Sequence, residues 1–263
     1  MGLLPEMGYV RPGSLKHIDQ LVQPIRERGI AILLEHARSS NPTVLDAGCG
    51  PGGMTFMIGR SIAPHGTVVG VDRDPDMIRR ATDMARTMKS NSQPTFLQGD
   101  AFALPFQNEE FDACWCERVL QHTKNPAEAI LGLLRAIKPG GVVIFAEADW
   151  HSLSIAHSDR RLERRFVESL SKLIASPSIG RQLYSLLGSL GLDRVTAEVM
   201  PLLWTDFTSF ARTTLSFPDL INQLTHYSGN DFTHFIASLN HQPFFATASV
   251  SIVYAHTPLS RAP

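Results

Sequence analysis

The chain is poor in several features that mark whole classes of protein. Only three of its 263 residues are cysteine: Cys49, Cys114 and Cys116. That is too few for a disulfide scaffold, and two cysteines two positions apart on one strand bridge poorly. The expected setting is a reducing one, the cytoplasm. Charge of either sign is not in excess: Lys plus Arg number 24 and Asp plus Glu 25, a formal net charge of −1. A chain without a basic surplus lacks the electrostatic footprint of a protein that grips phosphate backbones, so nucleic acid is not expected as a partner. No apolar run reaches the length of a membrane span, so no membrane partner is expected either. Residues Met1 to Glu6 show neither the basic start nor the apolar stretch of a signal peptide. Gly2 invites lipidation, but Glu6 stands where that motif wants Ser or Thr. Low-complexity linkers and internal repeats are also missing.

What is present is ordinary globular composition, 43% hydrophobic and 19% charged. The length suits one large α/β domain or two small ones. Residues 1–38 read as a helical cover, with Leu21, Ile25, Ile32 and Leu33 on one face and Pro24 interrupting it. From about Pro42, short β-rich runs alternate with helical segments. Strands are predicted at Thr43–Asp46, Thr67–Asp72, Thr95–Leu97, Phe111–Cys116 and Gly141–Phe145. Helices are predicted over Met54–Ile62, from Pro75, and over Pro126–Ile137. This alternation implies βαβ units and a parallel sheet, and the Val/Ile content fits strands covered on both faces. After Trp150 the chain reads as helical to about Leu190. Strands near Val195–Leu203 and Ala246–Tyr254 follow, with an aromatic helical insertion between them. Seven of the 14 phenylalanines lie between Phe207 and Phe245. The predicted organisation is a single domain: a sheet core over 40–203 and 244–257, and a helical insertion or lid over 205–241.

Asp46-Ala47-Gly48-Cys49-Gly50-Pro51-Gly52-Gly53 joins the first strand to its helix. Glycines there permit a tight turn and a close approach of ligand to backbone. Gly48, Gly50 and Gly53 satisfy the dinucleotide fingerprint. Asp46, Gly48, Gly50 and Gly52 satisfy the D-x-G-x-G-x-G loop of S-adenosylmethionine enzymes. Charge separates the two. A carboxylate opposes a pyrophosphate but suits an ammonium and a sulfonium group. Asp72, at the end of the second strand, can accept both hydroxyls of a ribose. Asp74 before Pro75 reads as a helix cap. Asp100, after the third strand, can accept from an adenine amino group, with Phe102 covering the ring.

Taken in order, Val-Leu-Asp46-Ala-Gly-Cys-Gly-Pro-Gly-Gly, Val-Gly-Val-Asp72, Gly-Asp100-Ala101, Phe111-Asp112-Ala113 and Ile-Lys138-Pro139-Gly140-Gly141 resemble class I S-adenosylmethionine-dependent methyltransferases. Within them the chain is similar to the small-molecule branch, which includes ubiquinone/menaquinone C-methyltransferases and natural-product enzymes of secondary metabolism. The resemblance covers roughly residues 40 to 150. It implies a Rossmann-like seven-stranded, mostly parallel sheet with helices on both faces and a reversed last strand. The implied cofactor is S-adenosylmethionine, lying across the strand C-terminal ends. It would touch Tyr9, Asp46, Gly48, Cys49, Gly50, Asp72, Arg73, Met77, Asp100, Ala101, Phe102, Cys116 and Glu117. The implied partner is a small acceptor, and a homodimer is compatible with this reading.

Methyl transfer needs alignment and exclusion of water more than it needs a fixed catalytic motif. His122, after the fourth strand, is the first candidate base. Asp149 and His151, after the fifth, are acid/base candidates of second rank. Glu117 and Arg118 read as a surface pair, or Arg118 as a partner of the cofactor carboxylate. No metal is expected, because no carboxylate pair has a clear third ligand and Cys114-x-Cys116 has no second pair. No Asn/Asp-Pro-Pro-Tyr/Phe follows the fourth strand, which favours a small acceptor over nucleic acid; the aromatic insertion reads as ordinary helix packing or as a lid lining an apolar or aromatic acceptor pocket. The rival readings are the same fold and cofactor used for intramolecular cyclisation or rearrangement, a non-catalytic binder, and a dinucleotide dehydrogenase.

Overall fold

The computed structural model describes residues 12–88, 93–100, 103–214, 231–240 and 243–259. Seven strands form one sheet: β1 (Thr43–Ala47), β2 (Thr67–Asp72), β3 (Thr95–Gln98), β4 (Phe111–Glu117), β5 (Ile137–Ile155), β6 (Asp193–Trp204) and β7 (Ala246–His256). Their order is β3-β2-β1-β4-β5-β7-β6, and β7 alone runs antiparallel to its two neighbours. This is the Rossmann-like sheet with a reversed last strand that the family resemblance implies. The reversal of direction between β1→β2→β3 and β1→β4→β5 puts a crevice beyond the C-terminal ends of β1 and β4.

Among the described residues the helices are α1 (Pro12–His36), α2 (Gly53–Ile62), α3 (Pro75–Thr87), α4 (Pro126–Arg135), α5 (Arg160–Ser171), α6 (Ile179–Ser189), α7 (Phe207–Thr214) and α8 (Asp231–Leu239). Asp74 caps α3, accepting from Asp76 N at 2.8 Å, with Pro75 in the first turn. Asn125 and Glu128 cap α4 reciprocally through Asn125 Oδ1 and Glu128 Oε2. Asp112 ties three strands near their starts. It accepts from Thr43 N at 2.9 Å and from Lys138 Nζ at 2.9 Å.

Two features depart from the sequence reading. Helix α1 runs through Pro24 without a break; its apolar stripe (Ile18, Val22, Ile25, Ile32, Leu33) is buried against the sheet, and that packing outweighs the lost backbone hydrogen bond. Strand β5 does not stop near Phe145 but continues to Ile155, because β7 pairs with it again at Ser154 and Ile155 beyond a shift in register.

β5 divides the core by simple alternation. Val142, Ile144, Ala146, Ala148 and Trp150 pack on the face covered by α1, α2, α5, α7 and α8. Val143 and Phe145 pack on the face covered by α4 and α6. Phe207, Phe210, Phe232 and Phe235 pack on the first face. Phe210 stacks edge-on against Trp204, and Phe166 against Phe232, with ring centroids 5.5 and 5.6 Å apart. These rings are core. Phe217 lies outside the described residues.

Helix α1 sits on β4 through Gly29. A Cβ there would lie 2.0 Å from Trp115 Cζ3, and Trp115 is fully buried. Gly→Ala in a helix ordinarily gains about 0.5–1 kcal/mol. Here the sign reverses: Gly29→Ala is expected to cost ~1–3 kcal/mol through overpacking. Urea unfolding of the two proteins measures this, and a stabilised variant would show that α1 does not pack this way.

Candidate active site

The loop between β1 and α2 is built on left-handed backbone. Gly48, Gly50 and Gly52 have φ of +76°, +54° and +89°, which L side chains rarely adopt. Gly48 N and Cys49 N both donate to Val71 O, at 2.7 and 2.9 Å, so the loop is stitched to the end of β2. A Cβ on Gly50 would meet nothing within 4 Å. The loop is therefore open to a ligand at Gly50. Asp72 accepts from Gly50 N at 2.8 Å and from Asp74 N at 2.9 Å. Asp46 is buried and accepts from Thr55 Oγ1 at 2.6 Å. Burial pushes its pKa up to about 7, with the Thr55 hydroxyl pulling the other way and Glu117 adding to the rise. A nearby cation would restore the charged form.

The other predicted contacts distribute as follows. Cys49 is buried, with its Sγ beside Gly70, and burial followed by Asp46 and Asp72 holds its thiol protonated. Cys116 is buried at the end of β4 and its thiol is raised in the same way. Met77 is buried in the first turn of α3. Arg73 and Asp100 are exposed, beyond the ends of β2 and β3. Tyr9, Ala101 and Phe102 lie outside the described residues.

Glu117, the last residue of β4, does not pair with Arg118. It pairs with Arg26 of α1, from Nε at 2.8 Å and Nη2 at 3.0 Å. Arg26 also binds Asp19 at 2.7 Å. Burial alone would lower the Arg26 pKa, but the two carboxylates outweigh it and raise it. The guanidinium lies over the start of α2, where a Cβ on Gly53 would be 2.9 Å from Arg26 Nη1. Arg26 and Asp19 carry no motif; their one trace in the sequence is a seven-residue spacing on α1.

Arg118 follows with φ of +58°, a strained conformation for a residue with a side chain. The turn after it is held by Glu147, which is fully buried on β5. Glu147 Oε1 accepts from Val119 N at 2.7 Å and Leu120 N at 2.6 Å, while Oε2 is buried without a partner among the described residues. Burial pushes its pKa up to about 8, against the backbone hydrogen bonds. Glu147 anchors this turn, a role that the residues alone did not reveal. Its buried position between Ala146 and Ala148 was the available signal.

His122 ends that 3-10 turn (Leu120–His122). Its surface edge is exposed, yet the protein around the ring, then Arg118 and Arg73, push its pKa down to about 4. All three causes act in one direction, so the ring is neutral at pH 7. Its Nε2 lies 3.3 Å from Gln121 Nε2, and Gln121 accepts from the Trp150 indole at 2.6 Å. Asp149 accepts from Arg181 Nε at 2.6 Å, and His151 Nδ1 lies 2.8 Å from Ser178 Oγ. By strand alternation Asp149 and His151 share the face of Glu147, opposite Ala146, Ala148 and Trp150.

A pocket lies on the face of Ala146, Ala148 and Trp150. Narrow, apolar and partly open, it lies among Ile18, Leu21, Val22 and Ile25 of α1, Ala146, Ala148 and Trp150 of β5, Leu202 and Trp204 of β6, Val250 of β7 and Thr213 of α7. Glu117 and Arg118 line it at the end of β4. α1 and α7 meet over it, Arg212 Nη1 donating to His17 Nε2 at 2.7 Å. His122, Asp149 and His151 do not line it. Among the described residues no group of three or more His, Cys, Asp or Glu is placed to hold a metal ion. No described helix is long and apolar enough to cross a membrane.

A glycine loop open at Gly50, ringed by Asp46 and Asp72 and leading past Glu117 into an apolar pocket, fits a cationic adenosine-containing group better than a pyrophosphate. A family model described as "Methyltransferase domain" matches residues 38–187. This chain belongs to that family. Its cofactor is S-adenosylmethionine, for which the loop and its carboxylates are suited. The chain is 30% identical over 204 residues to the malonyl-[acyl-carrier protein] O-methyltransferase of Erwinia pyrifoliae, covering 77% of this chain and 67% of that one. It is 34% identical over 114 residues to the demethylmenaquinone methyltransferase of Lactococcus lactis, covering 43% and 44%. The chain spans about half the length of the curated relatives it matches. Among solved structures it is similar to the YcgJ protein of Bacillus subtilis, with a TM-score of 0.63, 16% identity, and coverage of 88% and 99%. That likeness is one of fold.

The pKa of Glu147 makes a pH prediction. Its folded value of about 8 lies above the ordinary ~4.3 of an unfolded glutamate. The folded chain therefore holds a proton that the unfolded chain releases, and the resulting stabilisation is full below pH ~4 and lost as pH rises through 8. Asp46 acts in the same sense and His122 in the opposite one, so the informative quantity is a difference. The stability of the wild type relative to Glu147→Gln is expected to fall by ~1 kcal/mol or more from pH 5 to pH 9. Parallel curves in denaturant titrations across that range would exclude a raised Glu147.

Proposed function

We propose that the chain is an S-adenosylmethionine-dependent methyltransferase that acts on a small, apolar acceptor seated in the α1–β5–α7 pocket. The observation that carries this reading is the junction at the end of β4. There Ala47, at the start of the glycine loop, pairs with Cys116, Gly48 lies against Val119, and the intervening Glu117 and Arg118 line the apolar pocket. The cofactor supplies an activated methyl group on a sulfonium. The chain's own residues supply position. Asp72 and the Gly48–Gly52 turn hold the adenosine end, and Asp46 and Glu117 give the cationic end a negative surround. The pocket walls exclude water and align an acceptor atom for in-line displacement.

No residue of the pocket wall is a free base. Glu117 is bound by Arg26, and His122 lies outside the wall. His122 is therefore read as a turn residue whose neutral ring faces Gln121, and Asp149 and His151 as residues of the opposite face. The relatives named as quinone and acyl-carrier methyltransferases support a place in small-molecule metabolism. Buried free thiols support a reducing compartment. We read the chain as one working domain, with α1, α7 and α8 closing over the sheet core.

Calorimetry with S-adenosylmethionine and with NAD tests the cofactor. The expected outcome is binding of the first and none of the second, and tight NAD binding alone would sink the reading. Asp72→Ala is expected to weaken S-adenosylmethionine binding at least tenfold. Unchanged affinity would show that Asp72 does not face the ribose.

A further inference from the structure

The acceptor pocket has one conspicuous member. Its other walls are aliphatic side chains, two tryptophans, a threonine and the neutralised Glu117, yet Arg118 also lines it. Among the described residues the Arg118 guanidinium has no hydrogen bond or ion pair. The nearest carboxylate in sequence, Glu117, is committed to both nitrogens of Arg26. Arg118 is half-buried, and burial lowers its pKa while Glu117 opposes that fall. A half-buried guanidinium that relies on solvent alone for its hydrogen bonds forgoes the ion pair an anion would supply. The backbone adds to the cost: Arg118 is one of three described non-glycine residues at positive φ. That conformation is imposed by Glu147 gripping the next two N–H groups and by Arg118 N donating to Ala146 O at 3.0 Å. Two unfavourable terms concentrated on one residue at a pocket's edge indicate a missing anionic partner.

Resting on the methyltransferase reading, we propose that the acceptor is an apolar carboxylic acid whose carboxylate binds Arg118 and is itself the methylated group. The planar fork of a guanidinium matches a carboxylate with two parallel hydrogen bonds. A carboxylic acid is also ionised at neutral pH, which answers the absence of a free base in the pocket wall. In the step, a carboxylate oxygen supplies the electron pair of the new O–CH3 bond. The methyl–sulfur bond breaks, its pair stays on sulfur as a neutral thioether, and no proton moves. The product is a neutral ester. It loses the ion pair with Arg118, and this favours its departure from the pocket.

Two of the three tryptophans, Trp150 and Trp204, line the pocket, so intrinsic fluorescence reports on its occupancy. 2-Naphthoate and 2-naphthamide, which share a shape and differ in charge, are titrated into the full chain with saturating S-adenosylhomocysteine. The acid is expected to bind at least tenfold more tightly than the amide. Arg118→Gln is expected to abolish that preference while S-adenosylhomocysteine affinity, measured by calorimetry, stays within threefold. Equal binding of acid and amide by the wild type, or binding of neither, overturns the proposal without recourse to any variant. An Arg118→Gln protein that keeps the acid preference and loses S-adenosylhomocysteine binding also overturns it, and assigns Arg118 to the cofactor. Failure of the wild type to bind S-adenosylhomocysteine is a separate result. It removes the methyltransferase reading, and titration of the two probes alone then still reads the charge preference of the pocket.

Discussion

The site depends on the two-pronged ion pair between Arg26 and Glu117. Glu117 ends the strand that faces both the glycine loop and the pocket; Arg26 sits midway along the helix that roofs the pocket. Joining them fixes α1 over the mouth of the sheet. Both side chains are nearly buried, at 12% and 9% exposure. Such a pair holds only when geometry and additional hydrogen bonds offset desolvation. Here both requirements are met: the contact is bidentate, and Asp19 takes a further guanidinium nitrogen. Glycine does the rest. Gly53 leaves room for the guanidinium over α2, and Gly29 lets α1 lie directly on Trp115.

A second constraint follows from the alternation of β5. Successive residues of one strand are assigned to opposite tasks. Ala146 and Ala148 are small, and with Trp150 they shape the pocket. Glu147, between them, points to the other side and fixes the turn that carries Arg118. Gly180 belongs to the same arrangement. A Cβ there would lie 2.6 Å from Glu147 O, so α6 closes tightly over this part of β5. The polar residues of the second face, Asp149 with Arg181 and His151 with Ser178, are thereby tied to α6 and its approach.

The sheet was legible because its strands are short, Val/Ile-rich and separated by punctuation of known meaning, such as Asp74-Pro75 and Asn125-Pro126. The glycine loop and Asp72 were legible because backbone geometry dictates residue type at those positions. The far end of β5 was not, since its extension to Ile155 arises from pairing with a strand about a hundred residues later. Arg26 and Glu117 were not paired in the sequence reading either, because an ion pair between residues 91 positions apart leaves no local spacing. The aromatic residues near the C-terminus read either as ordinary helix packing or as a lid over an acceptor, and Phe210, Phe232 and Phe235 are core. The parity of Asp149 and His151 was readable in principle: once Ala146 is set toward the pocket, every second residue must face away.

The position of β7 has a bearing on how the molecule is assembled. It is the latest strand in chain order, yet it lies inside the sheet, between β5 and β6. Strands β1 to β5 can pair as they are synthesised, each beside an earlier neighbour. β6 has no partner until β7 arrives and is inserted, and until then Leu202 and Trp204 cannot take their places in the pocket wall. Maturation of the acceptor pocket is thus a late event that waits on long-range pairing, a slow kind of step. Until then β5 presents an unpaired edge, the kind of surface on which strands of other chains can add.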